Sequence, residues 1–279
     1  MQSRTSFWIT LTALSLGTAT PGFGAAVVFS VSGLAPGDIQ STVDAYRTSL
    51  GTLNPNVVGS FGSGRREINW DGVPDALSAP NNLPANFFNV NSPRGVVFST
   101  PGTGFQVSAT AASGTPVEFG NIDPNYPNFF RTFSPQRLFT ALGSTITDVN
   151  FFNPGTGSPA FTNGFGAVFT DVDLPNVSSL QFFDVNNNLL GQFFVQQIAG
   201  ANETLSFLGV QFNAGERVGR VRITSGNQVL AAGNTTEDLV VMDDFIYGEP
   251  RVLVPEPASM WLMSAGVFAL IAVRRFRKA

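Results

Sequence analysis

The sequence predicts an all-β fold, a jelly-roll-like two-sheet β-sandwich with one flanking helix, and three observations carry that prediction. Phe occurs 27 times in 279 residues, short apolar runs recur along the chain, and Gly, Pro and Asn clusters punctuate them. Gly and Asn accept positive φ and Pro presets a turn, so Pro101-Gly102, Asn153-Pro154-Gly155, Leu174-Pro175-Asn176, Asn186-Asn187-Asn188 and Asn213-Ala214-Gly215 mark the ends of strands.

Between those turns the candidate strands are Gly95 to Thr100, Gly104 to Thr110, Ile146 to Phe152, Gly166 to Val172, Ser179 to Val185, Leu190 to Gln196, Thr204 to Phe212, Arg217 to Thr224 and Leu239 to Tyr247. Val221 and Ile223 alternate with Arg220 and Arg222, the period of a half-wet strand, although Val218 is out of phase. Phe182-Phe183, Phe193-Phe194 and Val240-Val241 instead place apolar groups on both faces, as in strands covered on each side.

One helix is predicted at Asp38 to Leu50. Asp38 is placed as its cap, Ile39, Val43, Tyr46 and Leu50 fall on one face, and Gly51 supplies the stop. From Thr52 to Asn91 periodicity is lost, which predicts a long loop region. The chain therefore divides into a signal peptide at 1–26, a helix and long-loop region at 27–94 packed on the sandwich, the sandwich itself at 95–250 and a terminal segment at 254–279.

The two ends carry targeting chemistry. Arg4 precedes an apolar and hydroxyl stretch from Phe7 to Ala19, and Pro21 with small residues at Gly22, Gly24, Ala25 and Ala26 follows, the layout of a secretory signal peptide. At the other end, Val254, Pro255, Glu256 and Pro257 lead into Ala258 to Val273, without a charge, and then Arg274, Arg275, Arg277 and Lys278. Sixteen helical residues cover about 24 Å, a short span of a ~30 Å hydrocarbon core, with its cations held in the cytoplasm.

This terminal segment resembles the PEP-CTERM sorting signal of Gram-negative bacteria, on Pro255-Glu256-Pro257, the apolar run and Arg274-Arg275. The resemblance implies export, through the Sec machinery, an anchor in the inner membrane, and processing by an exosortase-type enzyme that delivers the body to the cell surface or extracellular matrix.

Composition narrows the chemistry. The exported body sets ten Arg against eighteen Asp and Glu, an acidic balance with no dense basic face, which excludes nucleic acid as a partner. There is no Cys and no His, so disulfide staples, the common zinc sites and Ser-His-Asp or Cys-His catalysis are excluded. No Lys occurs before residue 278, which removes Schiff-base chemistry from the body.

Two candidate sites remain. The segment Gly64 to Asp75 holds the body's only Trp, and Trp70 as a stacking face with Arg66, Asn69 and Asp71 as hydrogen-bonding groups predicts a sugar site; a loop in which Trp70 plugs the core and Arg66 pairs with Glu67 or Asp71 is the alternative. The final strand, Val240 to Gly248, is similar to the closing strand of carbohydrate-binding jelly rolls, which implies Asp243 or Asp244 as a ligand of a structural calcium ion. Asp171 and Asp173 would complete it, since hard oxygen ligands favour calcium. Asp184-x-Asn186-x-Asn188 spaces oxygens like a calcium loop but lacks its Gly and Glu, and reads as a hairpin turn.

The functional expectation is a non-enzymatic surface protein that associates with exopolysaccharide or biofilm components. The rival is a carbohydrate-active hydrolase using an Asp/Glu pair, because eighteen acids offer many candidate pairs and sequence spacing singles out none.

Overall fold

The computed structural model of the chain describes residues 26–235 and 238–253. The predicted signal peptide, apart from Ala26, and the predicted sorting helix with Val254 to Pro257, Arg274 and Arg275 lie outside the described residues.

The protein is mostly β, with two large antiparallel sheets and few helices. The strands are β1 (Val27–Gly33), β2 (Arg65–Ile68), β3 (Val96–Ser99), β4 (Gly104–Val107), β5 (Phe139–Leu142), β6 (Ile146–Phe151), β7 (Ala160–Phe161), β8 (Gly164–Thr170), β9 (Ser179–Asp184), β10 (Leu189–Phe194), β11 (Leu205–Gln211), β12 (Val218–Thr224), β13 (Val241–Gly248) and β14 (Arg251–Val252). A seven-stranded sheet runs β1-β11-β8-β13-β5-β4, with β2 paired to β13, and a five-stranded sheet runs β10-β9-β12-β6-β3.

All nine predicted strands are present within a few residues of their expected ends. Three substantial ones lie outside the prediction. β1 follows directly on the predicted signal peptide, β2 is charged, and β5 is short; both β1 and β2 sit in the 27–94 region, which therefore contributes strands to the large sheet as well as the helix and loop.

The two sheets share one core. Phe98, Val149, Phe151, Leu180, Phe182, Val221 and Ile223 from the smaller sheet meet Phe105, Phe139, Phe165, Phe169, Leu208, Val210, Phe245 and Tyr247 from the larger. Val218 joins this core despite its sequence phase, because the pairing of β12 with β9 shifts register between Val218 and Arg220: Gly219 is the unpaired residue, and this bulge brings Val218 to the inward face.

The outer face of the large sheet is covered by α1 (Pro36–Leu50). Ile39, Val43, Tyr46 and Leu50 are buried as predicted and pack on Val168, Leu205, Phe207 and Ile246. Asp38 is not the cap itself: the cap is Ala35, and Asp38 sits in the first turn, its Oδ2 accepting the Leu34 and Ala35 backbone N–H groups at 2.9 Å. Two facing glycines, Gly166 and Gly209, make room for the Tyr46 ring, which lies 2.9 Å from where a Cβ at either position would stand. β8, β11 and β13 are consequently buried along their whole length.

The smaller sheet has no such helix on its outer face among the described residues. There Phe183 lies under the Arg220 guanidinium, 3.8 Å from the ring centroid, and Phe194 on the edge strand β10 is exposed, in contrast to the two-sided burial its sequence predicts. Arg222 and Arg220 converge on Asp148, with Arg222 bidentate at 2.9 Å for both bonds. Burial raises the Asp148 pKa, but the bonds from the two guanidinium groups outweigh it and hold the carboxylate below its ordinary range.

Candidate functional site

Trp70 is a core residue. It is 1 % exposed, its indole stacks on Phe139 with ring centroids 4.1 Å apart, and Nε1 donates to the Asp243 backbone carbonyl at 3.0 Å. No face is left for a sugar. The reason is topological: β2 pairs with β13 from Arg65 to Ile68, so the next residues turn inward over β5 and β13. Arg66 is likewise buried, and its partner is Glu249, 183 residues away, instead of Glu67 or Asp71. Asn69 is exposed and donates to Asp71 at 3.0 Å, while Asp71 Oδ1 accepts the backbone N–H groups of Gln136 and Arg137. Trp70 and Arg66 are thus buried structural residues, while Asn69 and Asp71 fasten the turn that follows β2.

The four aspartates predicted around calcium separate into two surroundings. Asp243 and Asp244 lie at a bulge in β13, where register with β8 shifts between Met242 and Phe245, and both point to the same segment. Asp243 Oδ2 accepts the Phe133 and Ser134 N–H groups at 2.6 and 3.1 Å; Asp244 accepts Ser134 Oγ at 2.6 Å and Arg47 Nη2 at 3.1 Å. Burial, and for Asp243 the adjacent Asp244 charge, pushes both pKa values up. Both carboxyl groups are thus engaged by Phe133, Ser134 and Arg47.

Asp171 and Asp173 stand instead with Asp238, which precedes β13 at the same end of the sheet. The three line an open cleft of about 340 Å³ together with Phe129, Leu174, Gly200, Asn202, Thr235 and Leu239. β8 delivers Asp171 to this end of the sandwich, and Asp171 adopts φ of 67°, a left-handed conformation that costs a non-glycine residue roughly 1–3 kcal/mol. Asp173 donates its backbone N–H to Asp238 Oδ1 at 2.8 Å, and its own Oδ1 accepts the Gly200 N–H at 3.2 Å.

Asp171 Oδ1 and Asp238 Oδ2 are buried without a hydrogen-bond partner. Burial, with the charges of Asp173 and Asp238 next, lifts Asp171 to a pKa of about 8, and burial also raises Asp238. Nearby, Glu118 is raised to about 7 by burial and by Glu203, while Arg131 pairs with Glu203 at 2.8 Å. The cleft thus combines three carboxyl groups, an amide and one half-buried aromatic ring. Asp238 and Phe129 were not singled out by the sequence; neither belongs to a motif, and only the fold brings them to Asp171. Asp184, in contrast, closes the β9–β10 hairpin as its spacing predicts, with Oδ1 accepting the Asn186 and Asn188 N–H groups at 2.8 Å. Among the described residues no group of three or more His, Cys, Asp or Glu side chains is arranged to hold a metal ion.

The cleft and the chain's exit lie at opposite ends of the sandwich. Strand β8 pairs Thr170 with Val241 and Phe165 with Tyr247, so Asp171 follows one end of the pair and Glu249 the other. Six residues of strand separate them along the sheet, about 20 Å.

No curated protein and no solved structure matches the chain. Residues 253–278 match the family model of the PEP-CTERM protein-sorting motif, which marks an exported protein with a membrane-anchoring sorting signal read by exosortase.

Proposed function

We propose that the protein is a non-enzymatic component of the cell surface or extracellular matrix that associates with exopolysaccharide after exosortase-type processing. The cleft of Phe129, Asp171, Asp173, Asn202 and Asp238 is its sugar site. The observation that supports this reading is an open polar cleft with an aromatic wall at one end of the β8–β13 pair, about 20 Å along the sheet from the end that Glu249 follows. Asp173, Asn202 and Thr235 offer acceptors and donors for sugar hydroxyls, and Phe129 gives an apolar face to the ring's C–H groups.

One feature favours the hydrolase as a second reading. Asp171, its pKa raised to about 8 by burial, stands beside a second carboxyl at Asp173, and acid–base cleavage of a glycoside uses a raised acid with a carboxyl partner. Against it, Asp171 is 4 % exposed and its Oδ1 is closed to solvent, so the acid does not reach a glycosidic oxygen in the cleft. Sedimentation with the host's own polysaccharide, run beside a reducing-end release assay, separates the readings. Binding lost in Asp173→Asn with no release of sugar ends supports association. Release of ends abolished by Asp171→Asn would establish the hydrolase, and absence of both would remove the sugar site.

A further inference from the structure

The end of the sandwich opposite the cleft carries an apolar face where the chain leaves the body. Val58 is 66 % exposed, Phe61 50 %, Leu253 41 %, and Val57 and Val252 are also exposed. These side chains come from two segments fastened to one another. Phe61 N–H donates to Glu249 Oε1 at 3.1 Å and Gly59 N–H to the Pro154 carbonyl at 2.8 Å, which holds the 57–61 loop beside the strand that ends at Val252. Ser60, Gly62, Val252 and Leu253 line one surface hollow with Phe161, Arg217 and Arg251.

The charge of this face differs from that of the body. Arg217 and Arg251 both lie over the Phe161 ring, at 5.4 and 5.0 Å from its centroid, and neither forms an ion pair among the described residues. The neighbouring acid, Glu216, is buried and accepts the Ala214 N–H. The surface is therefore locally basic on a protein that is acidic overall, with aromatic and aliphatic groups beside the cations.

Its location decides what covers it. Only residues 254–257 stand between Leu253 and the start of the uncharged run at Ala258 within the sorting motif. Fully extended, five steps reach at most roughly 18 Å, and the headgroup layer itself takes up about 5–8 Å of that. While the anchor is uncleaved, the face around Leu253 cannot be far from the bilayer.

We infer that Val57, Val58, Phe61, Val252 and Leu253, with Arg217 and Arg251, form a membrane-contact face that rests on anionic lipid headgroups before processing. The apolar tips enter the interface and the two guanidinium groups meet lipid phosphates. This sets the body upright, with the acidic cleft directed away from the membrane. The inference rests on anchoring by the sorting segment and is independent of what the cleft binds.

The chain has no Cys, so single labels report position directly. The full-length protein is reconstituted into vesicles of phosphatidylethanolamine and phosphatidylglycerol with an environment-sensitive fluorophore on Val58→Cys. Leu34→Cys is the control, because Leu34 is 58 % exposed and follows β1 at the opposite end of the sheet. Position 58 is expected to emit to the blue of position 34 and to be quenched by spin-labelled lipid roughly two-fold or more strongly, the depth of an interfacial side chain. Replacing phosphatidylglycerol by phosphatidylcholine, or introducing Arg217→Glu with Arg251→Glu, is expected to shrink that difference. Equal signals at the two positions, or a position-58 signal indifferent to both changes, would overturn the inference. So would shielding of position 58 that arises only when the processing enzyme is added, since the face would then dock a protein.

Discussion

Arg66 and Glu249 form a bidentate ion pair, Nε to Oε2 at 2.7 Å and Nη2 to Oε1 at 2.9 Å, with neither side chain reached by solvent. Arg66 spends its remaining donors on the carbonyls of Pro55, Gly59 and Pro93, and Glu249 accepts Asn54 Nδ2 and the Phe61 N–H. One pair thus anchors the 54–61 loop to the end of β13. Removing one partner leaves an uncompensated buried charge, so Glu249→Ala is expected to destabilise the body by about 3–5 kcal/mol in urea unfolding. A loss below about 1 kcal/mol would mean that water reaches the pair.

Trp70→Ala removes the centre of an aromatic cluster of Phe88, Phe98, Phe139 and Phe245. It should cost about 3–5 kcal/mol, in the range of large-to-small core changes. Polysaccharide binding by the folded fraction should be unchanged, and selective loss of binding without loss of stability would return Trp70 to a ligand role.

Gly209→Ala tests the seat of the helix. A Cβ there meets Phe207 and the Tyr46 ring at 2.9 Å, closer than atoms tolerate, so Tyr46 must shift and α1 with it. The expected cost is about 1–3 kcal/mol, with faster amide exchange in 36–50 than elsewhere. Unaltered exchange in the helix would show that the ring moves alone.

Acid–base titration should leave a signature in stability. A carboxyl whose folded pKa is raised keeps its proton at pH values where the unfolded chain has lost it, so folding stability falls as pH rises from about 4 toward the folded pKa. Asp171 at about 8 and Glu118 at about 7 both act in this direction. Asp148 acts oppositely: its pKa is depressed by Arg222 and Arg220 against the effect of burial, so its contribution is present above about pH 4 and lost below. Burial raises Asp238, Asp243 and Asp244 in the same direction, so the melting temperature is expected to be higher at pH 5 than at pH 8, and Asp171→Asn should remove a part of the difference, at about 2–4 °C per kcal/mol. A melting temperature that rises from pH 5 to 8 would contradict the assignment.

Sorting is testable in the native host. Pro257→Ala, or deletion of Arg274 to Ala279, should leave a full-length precursor in the membrane fraction and reduce the processed body outside it. Delivery that continues unchanged in both variants would show that the terminal segment serves only as an anchor.

Local chemistry makes much of this protein legible in its amino-acid order alone. Turn residues bound nine strands, the spacing of Ile39, Val43, Tyr46 and Leu50 sets the buried face of the helix, and residues 253–278 carry the address. All three depend on neighbours a few residues apart. What the tertiary structure decided depends on pairings across the chain. The same acids that composition offered as a calcium set were divided between Ser134 and Arg47 on one side and Asp238 on the other. Trp70 was turned into the core because β2 pairs with β13, and Val218 was turned inward by a bulge whose partner strand lies 34 residues earlier, Asp184 facing Val218. Strand order and register bring distant residues together, and a period of two within one strand carries no information about which strand will lie beside it.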